Sequence, residues 1–153
     1  MEILIIVILL IALFSFWVVS TRRRLTVMNE NVESAVNQIG VQLSSRYDML
    51  AAALNQAKDY DVRTACNLIA KVNFHRCVIT SVTTTGEVME QEKMIQSVLE
   101  ELEKMVRQHP EINENKDYSK FMEAVDSYGR MLQTSTLIYN DSVTKFNRAV
   151  CMM

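Results

Sequence analysis

Between Ile3 and Thr21 the chain carries no charged residue, and Ser15 is the one polar side chain from Ile3 to Val19. As helix this 19-residue run is about 28 Å long, the thickness of a bilayer's hydrocarbon core. It predicts a transmembrane anchor over residues 1–21 ahead of a domain over 22–153. A cleaved signal peptide would need a positive charge before the apolar stretch, a shorter stretch and a small-x-small cleavage pattern. All three are missing, so an uncleaved anchor is expected. The first cysteine is Cys66, which excludes a lipid-modified cysteine just after the run.

Arg22, Arg23 and Arg24 follow at once, whereas the other flank offers only the amino terminus and Glu2. Lys and Arg are retained on the cytoplasmic side, so residues 22–153 are expected in the cytoplasm with the N-terminus outside. Trp17 lies close to that boundary, at the depth an indole prefers. The arginines are expected to act as topology determinants alone; the alternative is a contact with anionic lipid phosphates, at about 1 kcal/mol for each charge near the surface.

The remaining sequence of roughly 130 residues is long enough for one core. It holds three glycines and one proline in the whole chain, too few punctuators for the short elements of β or α/β folds. Few, long helices are expected. Leu25, Met28, Val32, Val36, Ile39, Leu43, Leu50, Leu54 and Ala57 form one helical stripe. No proline interrupts residues 1–58, so the anchor is expected to run on as one rod, with Gly40 costing about 1 kcal/mol relative to Ala. A second stripe follows at Ala65, Leu68, Val72, His75, Ile79 and Val82, ending in Thr83–Gly86. Thr84 and Glu87 read as a capping box for a third helix with its seam at Ile95, Val98, Leu102 and Met105. Pro110 ends it, a loop runs to Asp117, and Asn115 or Asp117 caps a fourth helix. There Tyr118, Val125, Leu132, Tyr139 and Phe146 recur every seven residues, with Phe121, Tyr128, Ser135, Ser142 and Ala149 in the alternate seam. An all-α antiparallel bundle on a membrane stalk is the fold class expected.

Three stretches together resemble the LemA family of bacterial single-pass membrane proteins. They are Val32–Ala35 with Gln38–Leu50, continuing to Leu54, Lys58 and Tyr60; His109–Ile112 with Asn115 and Tyr118; and Ile138–Val143 with Phe146 and Asn147. Within them, Gln42, Arg46, Tyr47 and Asp48 sit at the end of the first long helix, and Tyr139, Asn140 and Asp141 in the last. The resemblance implies an antiparallel helical bundle behind one N-terminal membrane helix, at the bacterial cytoplasmic membrane, and no established enzymatic activity. The chain departs from the family pattern at Gly129 and over Gln133–Leu137, where a glutamate and an alanine-rich stretch are usual. It also stops at Met153, without the usual Phe-Pro segment.

The charge balance, net −2, argues against nucleic acid as a partner. A glycine-rich phosphate loop, a Gly-x-Ser-x-Gly elbow and a His-Glu-x-x-His pair are all absent, so no catalytic residue, cofactor or small-molecule substrate is expected. Cys66, Cys77 and Cys151 lack metal-ligand spacing and read as buried thiols in a reducing compartment. His75, on the apolar stripe, reads as a core histidine. Glu100, Glu101 and Glu103, with Lys104 and Arg107, read as a solvated face with a Glu100–Lys104 pair. The ten methionines, Met94, Met105, Met122 and Met131 among them, read as adaptable core filling.

Gln42, Arg46, Asp48 and Asn140 are expected to fix helix register. Asp48 has Arg130, Lys145 or Arg148 as candidate partners, and Asn140 is expected to make a lateral hydrogen bond. Leu25, Met28 and Val32 lie beyond the reach of a short second helix, which leaves them for self-association. The function expected is a non-enzymatic, membrane-anchored scaffold. Its partners are the lipid bilayer, further copies of itself and membrane or cytoplasmic proteins. The alternative is a signalling or receptor module that carries a state change through the continuous helix; a membrane enzyme or protease subunit is third.

Overall fold

A computed structural model of the chain describes residues 2–76 and 85–152. Among these the fold is all-α, with helices α1 (Glu2–Ala57), α2 (Val62–His75), α3 (Thr85–Gln108) and α4 (Lys116–Cys151), and a 3-10 segment at Pro110–Glu114. Helix α1 is a single piece of 56 residues, about 84 Å at helical rise, and passes through Gly40 without a break. Residues 5 to 17 at its start are exposed throughout, and that part is long and apolar enough to cross a membrane.

The bundle forms at the other end of α1. Asp61 Oδ1 accepts the N–H groups of Arg63 and Thr64, both at 3.1 Å, and so caps α2 immediately after the turn. Helix α2 then runs back along α1, and just beyond it Arg76 reaches Asp48 and Ser44. Helix α3 reverses again, with Lys71 of α2 meeting Glu101 at 2.8 Å. It stops ahead of Pro110, which occupies the first turn of the 3-10 segment, where its missing N–H costs nothing. Asn115 Oδ1 accepts from the N–H groups of Asp117 and Tyr118 and opens α4, which packs along α1 in the antiparallel sense.

The seams expected from periodicity form the core. Leu43, Leu50, Leu54 and Ala57 of α1 are buried against Ala65, Leu68 and Val72 of α2 and Ile95, Val98, Leu102 and Met105 of α3. Tyr118, Val125 and Leu132 of α4 close it. Each large aliphatic side chain buried here contributes about 1.5–3 kcal/mol. The four-residue rows of α4 remain helical through its threonines: Thr134, Thr136 and Thr144 each return a hydroxyl hydrogen bond to the carbonyl four residues back.

Several expectations are corrected. Helix α2 ends at His75, with Arg76 already extended, so His75 leaves the apolar stripe; it is exposed, its Nδ1 2.9 Å from the Lys71 carbonyl. Cys66 and Cys151 are exposed, not buried, because both fall on the outer faces of their helices. The acidic face of α3 pairs as Glu103–Arg107 and Lys71–Glu101, and among the described residues the expected Glu100–Lys104 pair does not form. Met94 and Met105 are buried and Met122 half-buried, but Met131 is 46 % exposed. The expected end of the second helix at Thr83–Gly86, the Thr84 cap, Ile79, Val82 and Cys77 fall wholly or partly outside the described residues.

Candidate functional site

Two regions gather the polar and charged residues that an apolar bundle does not need. The first lies at mid-height, where α1, α3 and α4 meet around Arg46. This arginine is 8 % exposed, and its Nη1 stands 3.1 Å from Glu92 Oε1 of α3. The guanidinium lies flat under the backbone of α4 at Gly129. A Cβ on that residue would stand 3.2 Å from Arg46 Cζ and Nη2. A side chain at this position would require the arginine to give by a few tenths of an ångström, so Gly129 is matched to Arg46.

Around this contact, among the described residues, three polar atoms are buried without a partner: Arg46 Nε, Gln42 Oε1 one turn earlier on α1, and Gln91 Oε1 of α3. Next to them Tyr47, fully buried, donates its hydroxyl to the Gln91 carbonyl at 3.4 Å. A buried group lacking its hydrogen bond costs on the order of 1–3 kcal/mol. The cluster thus links α1 to α3 beneath α4, and its unpartnered atoms carry an energetic cost. Beside it an open groove of about 280 Å³ is lined by Arg46, Met89, Glu92, Lys93 and Gln96. Its polar lining is the Arg46 and Lys93 cations, the Glu92 carboxylate and the Gln96 amide. Among the described residues no group of three His, Cys, Asp or Glu stands close enough to hold a metal ion.

Not all of the expected register set meets here. Arg46, Gln42 and Tyr47 do. Asp48 points the other way, exposed, and pairs with Arg76 at 2.6 Å; Arg130, Lys145 and Arg148 of α4 are not its partners. Two positions along a helix from Arg46 amount to about 200°, which turns Asp48 from α4 toward α2. Asn140 is exposed, so its amide meets solvent without a lateral bond; its carbonyl accepts the Thr144 hydroxyl at 2.7 Å. Asp141, also exposed, pairs with Lys145 within α4 at 2.6 Å. Tyr139 is half-buried against the core. Glu92 and Gln91, which no motif or periodicity marks, and Gly129, which stands out in the sequence only as a departure from the resemblance, complete the site.

The second region is the end of the apolar run. Trp17 is exposed beside Phe14, ring centroids 6.1 Å apart, and Arg22, Arg23 and Arg24 fan out around α1 one turn later. An open groove there is lined by Val19, Arg22, Arg23, Thr26 and Val27. Leu25, Met28 and Val32, which sequence left uncovered, are half-buried. The short α2 does not reach them; α4, 36 residues long, does. In the register set by Arg46 and Gly129 they lie opposite Val143, Phe146 and Ala149, themselves half-buried.

A comparison with curated proteins finds no match. The LemA family model matches residues 35–153, which takes in the Arg46 cluster and all of α2, α3 and α4, and the chain belongs to the LemA family.

Proposed function

We propose that the protein is a non-enzymatic scaffold held in the bacterial inner membrane by the start of α1, with its bundle in the cytoplasm. The observation that carries this reading is the unbroken α1, whose first part is apolar and wholly exposed while its last part supplies the bundle core. A helix that exposes the stretch from Ile5 to Val19 to water would leave a dozen large apolar side chains unburied; lipid supplies that burial. Three arginines on one flank favour a cytoplasmic bundle.

The apolar positions that α4 leaves open indicate where copies or partners meet it. Val27 and Val41 on α1, and Leu137 and Ile138 on α4, are 48–69 % exposed along the stretch that α2 and α3 do not cover. They are a better contact surface than Leu25, Met28 and Val32. Single cysteines at Val41 or Leu137 should crosslink between copies in membranes, and a cysteine at Met28 should crosslink less. Alkaline carbonate should leave the chain in the membrane fraction, and a reporter fused after Met153 should be active only as a cytoplasmic enzyme. Release by carbonate, or periplasmic activity, would defeat the anchor or its orientation. The continuous helix also favours a second reading as a signalling module, since nothing along α1 would absorb a rotation or tilt of the membrane segment.

A further inference from the structure

Helix α4 returns to the level at which α1 leaves its apolar run. Gly129 lies against Arg46; 22 residues beyond Gly129 is Cys151, and 22 residues before Arg46 is Arg24. The Arg46 side chain leans toward the N-terminus of its helix, which moves the match a few residues closer to Thr21. The half-burial of Leu25 and Met28, opposite Phe146 and Ala149, follows the same register.

The end of α4 does not have the character of a water-facing helix terminus. Val150 is 48 % and Met152 78 % exposed, and Cys151 between them is exposed as well. Side-chain charge is one-sided at this level: residues 3–29 and 142–153 contain no Asp or Glu, whereas Arg22, Arg23, Arg24, Lys145 and Arg148 are cationic. Lys145 is partly engaged by Asp141, one turn further from the tip; Glu30 and Glu33 likewise lie on the side away from the apolar run. An apolar tip inside a ring of arginines is the pattern of an interfacial contact, in which side chains enter the headgroup layer and cations hold its phosphates.

We propose that the C-terminal end of α4 is a second lipid contact, with Val150, Cys151 and Met152 in the headgroup layer of the leaflet that α1 enters and Arg148 joining Arg22–Arg24 on anionic lipid phosphates. This rests on the reading of α1 as a membrane span, and it braces the α1–α4 pair against the surface at two points.

The native cysteines and the single tryptophan test both layers of the claim in one preparation. The full chain carrying Cys66→Ser and Cys77→Ser takes an environment-sensitive dye on Cys151; a reference chain carrying Cys77→Ser and Cys151→Ser takes it on Cys66. The latter is exposed near the far end of the bundle, about 48 Å from Thr21 at helical rise. Both are reconstituted in phosphatidylcholine vesicles with or without phosphatidylglycerol. Trp17 should be quenched by spin-labelled lipid in both chains, which establishes the span. The Cys151 dye should be quenched by the same lipid several-fold more than the Cys66 dye, and shielded from aqueous iodide. Arg148→Glu, or omission of phosphatidylglycerol, should weaken that quenching and leave Trp17 unchanged. A Cys151 dye as open to iodide as the Cys66 dye, with Trp17 quenched, overturns the proposal and spares the anchor. An unquenched Trp17 overturns both. Equal quenching of Cys151 in phosphatidylcholine alone overturns the role given to anionic phosphate.

Discussion

At Gly129 the helix α4 comes so close to the Arg46 guanidinium that a single methyl group decides the packing. Gly129→Ala improves helix propensity by about 1 kcal/mol, yet it should destabilise the bundle, because overpacking costs about 1–3 kcal/mol and Glu92 pins the arginine in place. Removing the arginine should reverse the sign: in an Arg46→Ala background, Gly129→Ala should stabilise. A double-mutant cycle of urea melts checks this. The two ion pairs of α1 should behave differently. Asp48 and Arg76 are both substantially exposed, so Asp48→Ala should cost less than about 1 kcal/mol. Glu92→Ala leaves Arg46 charged and nearly buried, and should cost about 1–3 kcal/mol in the same melts. A larger loss for Asp48→Ala than for Glu92→Ala would reverse the assignment of which carboxylate fixes register.

Among the elements, the helix starts are fixed by single side chains. Asn115→Ala removes the acceptor for two N–H groups at the start of α4 and should lower stability by about 0.5–2 kcal/mol. Asp61 performs the same task for α2, and its pKa is held below the ordinary 3.8, first by the Thr64 hydroxyl and N–H. A carboxylate lowered in this way stabilises the fold fully above 3.8 and loses that contribution as pH falls through its folded value. The thermal midpoint should therefore drop below pH 4, about the ordinary carboxylate value, and Asp61→Asn should flatten the drop. Tyr118 works in the opposite direction: burial, then the Glu103 carboxylate, raise it above 10.0, so its contribution is complete below 10.0 and is lost as the phenol ionises at higher pH. Much of this layer was legible in the sequence. Heptad rows, Pro110 and Asn115 act locally, and local signals survive in a one-dimensional reading. The end of α2 at His75 and the partner of Asp48 were not legible, because Arg76 belongs to two elements only after the chain has reversed on itself. Gly129 was visible as an anomaly, yet its cause lies 83 residues away at Arg46.

For the molecule as a whole, thickness changes along the axis. Three further elements surround α1 near Leu50 and Leu54, but among the described residues α4 alone accompanies it between about residues 22 and 36. Amide hydrogens of 22–36 and 136–151 should exchange faster than those of 43–57 and 95–105, since two-helix pairs open at lower free energy than a closed core. Protection in the membrane-proximal pair equal to that of the core would point to a second copy or another protein covering it. The unbroken α1 also has a mechanical consequence. From Thr21 to Ala57 it reaches about 54 Å beyond the apolar run, and no hinge interrupts it. A bilayer a few ångströms thinner tilts a spanning helix to keep its apolar length covered. A tilt of about 10° would swing the far end of such a rod sideways by about 9 Å. Where the apolar run spans a bilayer as proposed, membrane thickness is the input and a lateral displacement the output, and α1 acts as a lever.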